Sequence, residues 1–341
     1  ATGGASAGIV DSGNVAVAGN VTLTTDAGNG VINMGTLQQS AGDLILVTNG
    51  NGAATVVNNA GIDFGTSNVG GALSATASAG NITQNGGAIT VAGTSSFILG
   101  ANSANVVLDH ASNAFSGAVT LLAGAGGSQA FGNVTFVDDS AVKIDANADA
   151  AGDLYLNAGT DGAVGGNLAV TATTGNITQG VAVAVTGTSA FTTSASDATI
   201  TLGTTTNALG GTVAFTTAGT AGNVVIDNGT TGLDLAASTI NGTLTATGGA
   251  SAGIVDSGNV AVAGNVTLTT DAGNGVINMG TLQQSAGDLI LVTNGNGAAT
   301  VVNNAAIDFG TSNVGGALDV TASAGTITQN GGALTVAGTS A

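Results

Sequence analysis

Few residues in this chain could do chemistry, and their spacing limits what each could do. The densest group is acidic: Asp138, Asp139, Asp145, Asn147, Asp149 and Asp153. The run DANADAAGD begins like the D-x-N-x-D opening of a calcium loop, where oxygens at alternate positions surround a hard cation. It lacks the glycine and the glutamate that such a loop carries further on. Asp145, Asn147, Asp149 and Asp153 are therefore the candidate Ca2+ ligands, set against the plainer reading of a solvated acidic loop. Lys143 stands among these carboxylates, and a surface ion pair is the ordinary role of such a lysine.

Other candidates are thinner. His110 is the single histidine, and the chain has no cysteine, so a metal site or catalytic triad lacks the partners it needs. GASAG at Gly4–Gly8, repeated at Gly249–Gly253, matches G-x-S-x-G. A nucleophile elbow, however, requires a strand-to-helix turn and a general base, and neither is evident here. Thr-rich runs such as VTLTT, TLTATG and TITLGTTT would face outward. The Thr positions do not keep one spacing from coil to coil, which argues against a regular ice- or glycan-binding array. Sequons such as Asn20-Val-Thr and Asn81-Ile-Thr are expected in a sequence so rich in Asn and Thr.

The elements that must position these residues are strands. Among 341 residues there are 59 glycines and no Pro, Cys or Trp. Beside Ala, the commonest residues are Gly, Thr, Val and Asn, while Glu and Arg are absent and Lys occurs once, which favours strands and tight turns over helices. The 19 acidic residues are all Asp, against one Lys, for a net charge of −18. That balance argues against nucleic acid and anionic lipid as partners, since both need Lys or Arg to meet phosphate. No apolar run reaches the roughly 18 residues of a membrane-spanning helix, so no membrane insertion is expected.

Repetition organises the chain. Residues 1–96 and 246–341 align without a gap and differ at six positions: Gly61/Ala306, Ser74/Asp319, Ala75/Val320, Asn81/Thr326, Ile89/Leu334 and Ser96/Ala341. Residues 1–245 thus form one large repeat and 246–341 the start of the next, within a single continuous body spanning 1–341. The expectation is an excerpt of a longer chain, continuing after Ala341 with a counterpart of Phe97-Ile98-Leu99-Gly100.

A shorter period lies inside the large one. GGALSATASAGNITQNGGAITVAGTS (Gly70–Ser95) returns at Gly165–Ser189 and Gly315–Ser340. Each copy holds three strand-like runs separated by Gly/Asn turns. In ALSATAS, period-two alternation places Leu73, Ala75 and Ala77 on one face and Ser74, Thr76 and Ser78 on the other. The differences between the large repeats respect these faces, as they must if one is buried. Units of roughly 20–30 residues are the length of solenoid coils. The reading is all-β: a right-handed parallel β-helix with about three short strands per coil. Val, Ile, Leu, Ala and Phe point inward, and stacked Asn side chains ladder at the turns. The phase is blurred around 43–71 and 141–166. Disorder fails against the alternating apolar content. An amyloid-like fibre fits the varied coil sequences less well than a single-chain solenoid.

GNITQ…AITVAGTSSF followed by NVVLDHASNAFSGAVTL resembles the repeat regions of large bacterial surface proteins, the filamentous-haemagglutinin-like adhesins and β-strand-repeat proteins. The resemblance covers nearly the whole chain. It implies secretion to the cell surface, a long β-helical shaft, and roles in adhesion, biofilm or surface structure. It supplies no catalytic residues. The expected function is a non-enzymatic extracellular shaft, with neighbouring copies of the repeat as partners. The alternative is a binding module for surface glycans or Ca2+-dependent contacts. A β-helical polysaccharide lyase needs basic and clustered acidic residues in a groove, and this chain has one Lys.

Overall fold

The computed structural model describes every residue except 5–7, 27, 125–128, 160, 250, 251 and 272. The chain divides into two compact units, 1–173 and 174–341. That division falls inside the short-period repeat, away from the start of the second large copy at residue 246. All regular structure among the described residues is β-strand. Each unit is a parallel β-solenoid, and right-handed is the hand that parallel crossovers take.

In residues 1–173 the chain alternates between two sheets. One stacks Val21–Thr25, Leu44–Val47, Ile62–Val69 and Ile82–Val91. The other stacks Ile32–Gln39, Ala54–Asn58, Leu73–Ala77, Ser95–Leu99 and Val119–Ala123. Leu73 lies beside Ser95, and Ser95 beside Val119, so the step from one coil to the next falls within the expected length. The ten-residue strand Ile82–Val91 bends at its middle. Its first part pairs with Val106–Leu108 and its second with Ala114–Phe115. Two halves of a bent strand plus one straight strand make the three short runs of a coil.

Residues 174–341 repeat the scheme. Leu233–Leu235 and Ser238–Ile240 pair with Ile254–Asp256 and Val260–Val262, which in turn flank the first and second halves of Ile277–Gln284. Opposite them, Val224–Asp227, Leu244–Gly248, Val266–Thr270, Asp288–Val292, Ile307–Val314 and Ile327–Val336 stack in order.

The alternation read from ALSATAS is observed: Leu73, Ala75 and Ala77 are buried and Ser74 and Thr76 face out. Ile89 is fully buried, so its exchange for leucine at 334 stays on the apolar side. Along the interior of the first unit, Phe64, Phe97, Phe115 and Phe136 touch in sequence, with ring centroids 6.0, 5.9 and 5.5 Å apart. In the second unit Phe191 stacks on Phe215 at 6.0 Å. Burying each such ring contributes roughly 1.5–3 kcal/mol.

Asparagines ladder at the turns as anticipated. In the first unit Asn105, Asn133 and Asn167 each donate a backbone N–H to the side-chain oxygen of the asparagine one coil earlier, Asn81, Asn105 and Asn133, at 2.7–2.9 Å. At the corners, a buried side chain accepts a backbone N–H from the preceding coil. Asn58 accepts from Gln39, Ser67 from Leu46, Asn113 from Ile89 and Asp138 from Phe115. Asn207, Asn228 and Ser238 do the same in the second unit. Bending a strand frees N–H groups from the ladder, and these side chains satisfy them.

Both stretches of blurred phase have a structural cause. Between Leu44–Val47 and Ile62–Val69 a straight strand meets a bent one, and the register shifts. Near 141–166 the coil is enlarged: Val134 pairs with Leu168, a far longer step along the chain than the one from Leu73 to Ser95.

Candidate functional site

The enlarged coil carries the only Lys and the only Tyr of the chain, together with the acidic run. Val142–Asp145 pairs in parallel with Asp153–Asn157, placing Lys143 beside Asp153 and Asp145 beside Tyr155. Asp153–Asn157 also pairs with Val119–Ala123 and therefore lies between the other two strands. Chain order and stacking order are exchanged here, and residues 146–152 make the return.

That return positions the four candidate Ca2+ ligands. The Lys143 ammonium contacts the Asp145 carboxylate and lies 3.9 Å from Asp153 Oδ1. Asp153 is buried, and its other oxygen accepts the Ala150 N–H at 2.8 Å. Asn147 turns its Nδ2 to Asp149, donating at 3.0 Å. Asp145 and Asp153 thus face one ammonium, while Asn147 and Asp149 face each other. Among the described residues, no three His or carboxylate side chains converge as a metal site would require. The hydrogen bond and charge of Asp145, with the charges of Asp153 and Asp149 beyond it, hold the Lys143 pKa above its ordinary value, and Lys143 holds Asp145 below its own. Tyr155 donates to Asp161 at 3.0 Å and accepts from Asn157 at 2.7 Å; burial, then the bond to Asp161, raises its pKa. The arrangement is a clasp around a cation that the chain itself supplies.

His110 sits exposed in a turn, where its Nδ1 accepts the Ser112 N–H at 3.1 Å. The central residues of the first GASAG, 5–7, and residues 250 and 251 of the second lie outside the described residues. The sequon residues Asn20 and Asn81 use their side-chain oxygens in the turn ladder, toward Asp43 and Asn105.

Outward polar side chains of mixed type line up even though Thr itself keeps no one spacing from coil to coil. Their sequence spacing is irregular, yet their register is not. Asn33, Thr55, Ser74, Ser96, Thr120 and Tyr155 form one outward row, each beside the next across successive strands. In the second unit Thr245 and Thr247 lie beside Thr267 and Thr269. Loop lengths vary from coil to coil, but strand pairing sets position, so residues separated by very different lengths of chain come into line. Adjacent members of such a row are about 4.8 Å apart. Two of the six differences between the large repeats fall on this row, Ser74/Asp319 and Ser96/Ala341.

Two polar devices escaped the sequence reading. Gln84 and Asn113 exchange amide hydrogen bonds in the interior at 2.7 and 2.9 Å, and Gln179 and Asn207 repeat the pair at 2.8 and 3.0 Å. Their signal is the glutamine of ITQ followed, one coil later, by the asparagine of SNAF or TNAL. The second device is a carboxylate clasp between coils. Asp11 accepts from the N–H groups of Gly35 and Thr36, and Asp256 from those of Gly280 and Thr281. Backbone donors hold the pKa of Asp11 below the ordinary value, as they do for Asp197 and Asp308.

The family model described as "Repeats of unknown function (DUF5649)" matches residues 49–122, 126–216, 221–293 and 295–341. The chain belongs to this repeat family. Neither the curated proteins nor the solved structures contain a match.

Proposed function

We propose that this chain is a shaft segment of a large, secreted, cell-surface protein of the adhesin type, without enzymatic activity. The observation that carries this reading is the continuity of bonding along each unit. Strand ladders, asparagine ladders and corner acceptors bond one coil to the next, over a shared core. Such a structure gains length by repetition and resists extension, because load is shared between parallel ladders. Its partners on this reading are further copies of the repeat. Pulling the chain by its ends in a force microscope tests it: a shaft gives high, stepwise unfolding forces, whereas low-force, featureless extension refutes it. Antibody labelling of intact producing cells tests the location.

A second reading, glycan contact, is favoured by the aligned hydroxyl row Thr55–Ser74–Ser96–Thr120. A row of neutral donors and acceptors on a flat sheet suits a neutral polysaccharide better than an anionic one, given the net charge of −18. Binding on a glycan array that disappears in a Ser74→Asp/Ser96→Asp variant supports it; absence of binding leaves the shaft alone.

A further inference from the structure

We propose that Asn49, and after it Asn294, are sites of spontaneous deamidation, selected by the fold from ten Asn-Gly sequences in the chain. In this reaction the backbone nitrogen of the following glycine, having lost its proton to hydroxide, attacks Cγ of the asparagine. A C–N bond forms, the Cγ–Nδ2 bond breaks, and the amide nitrogen takes a proton from water and leaves as ammonia. Water then opens the cyclic imide at either carbonyl, giving aspartate or isoaspartate. The reaction needs an accessible amide, a glycine N–H not held elsewhere, and a backbone free to bring the two together. Glycine supplies the last requirement.

The structure sorts the ten by these criteria. Asn49 and Asn294 are exposed at equivalent turns, and each is followed by a glycine with φ of 59°. The N–H groups of Gly50 and Gly295 have no hydrogen-bond partner among the described residues. The two differ in one respect: Asn294 donates its Nδ2 to the Asp271 carbonyl across an exposed 3.2 Å bond, which ranks it second. At Asn51 and Asn296 the following glycine donates its N–H to the carbonyl of Asn49 and Asn294, respectively. Asn29 and Asn274 hold their side-chain oxygens on the N–H groups of Asn51 and Asn296. Asn85 and Asn330 donate to the Asp63 and Asp308 carboxylates, and Asn241 donates to the Thr217 carbonyl across a shorter, half-buried bond of 2.7 Å. Asn228 is the most protected. It is fully buried, its side chain makes three hydrogen bonds, and the N–H of Gly229 is held by Asp227.

Each conversion adds one negative charge to a chain already at −18. A protein retained for long outside a cell would therefore accumulate charge at this turn with age. Incubation of the folded chain at mildly alkaline pH, followed by peptide mapping with mass spectrometry, tests the proposal. Asn49 and Asn294 should convert at least about tenfold faster than Asn228, the ratio set by ~1.4 kcal/mol of barrier. In denaturant that difference should collapse. Conversion of Asn228 in the folded chain at the rate of Asn49, or conversion of any other Asn-Gly ahead of these two, overturns it.

Discussion

Asn113 shows how much of this fold rests on single polar side chains. It is fully buried, accepts from the Ile89 N–H and Gln84 Nε2, and returns a bond to Gln84. Asn113→Ala leaves a backbone donor and an amide unsatisfied in the interior, so it should cost about 1–3 kcal/mol in chemical denaturation. Adding Gln84→Leu should cost less than the sum of the two single changes, because both act on one network. Asp138 fills the same kind of corner with a carboxylate, accepting from Phe115, Asp139 and Ser140. Burial raises its pKa, opposed by those hydrogen bonds. A carboxyl with a raised folded pKa favours folding most when protonated, so its contribution is full below about 3.8 and is lost as pH climbs through the folded value. Asp138→Asn should therefore stabilise the chain at pH 7 relative to wild type, and the advantage should vanish in acid. Asp11, Asp197 and Asp308 run the other way. Their depressed pKa values mean that their contribution is present above the ordinary carboxylate range and is lost as pH falls below it. Denaturation curves across pH separate the two signs.

At the scale of the element, the turns limit how closely coils stack. Gly70 packs against the carbonyl of Gly50 with no space for a Cβ, and Gly315 against Gly295 likewise. Gly70→Ala should destabilise by ~1–3 kcal/mol, through overpacking against the Gly50 carbonyl. The same change at Gly13, where a Cβ meets nothing among the described residues, should be nearly silent in the same melting experiment. The strands themselves were legible in the sequence because alternation is local: Leu73, Ala75 and Ala77 announce an inward face without reference to any other residue. The Asn ladder was legible for a similar reason, since Gly-Asn turns recur. What the sequence hid is set by register between coils. The stretch of chain from Thr120 to Tyr155 is much longer than that from Thr55 to Ser74, yet all four lie on one outward row. The Lys143 clasp was hidden too. The acidic spacing suggested ligands for a cation, and only the pairing of Val142–Asp145 with Asp153–Asn157 shows the lysine between two of them.

For the molecule as a whole, stability is a sum of coil terms and interfaces between neighbouring coils, not a property of one closed core. It follows that a coil can be removed without loss of the fold, provided the cut respects register. Ser95 lies beside Leu73, so deleting residues 73–94 brings Ser95 to the place that Leu73 occupied. Ala54–Asn58 would then pair with Ser95–Leu99, and Ile62–Val69 would meet Val106–Leu108 and Ala114–Phe115, the partners now held by Ile82–Val91. Phe64 would still find Phe97 and Phe115 in the interior, since both are retained. The shortened chain should keep its β-sheet circular dichroism and a cooperative melt. A deletion of half that length from the same start should not, because it carries strands of one sheet into the other and turns apolar faces toward solvent. If both deletions fold equally well, stacking is not governed by strand register.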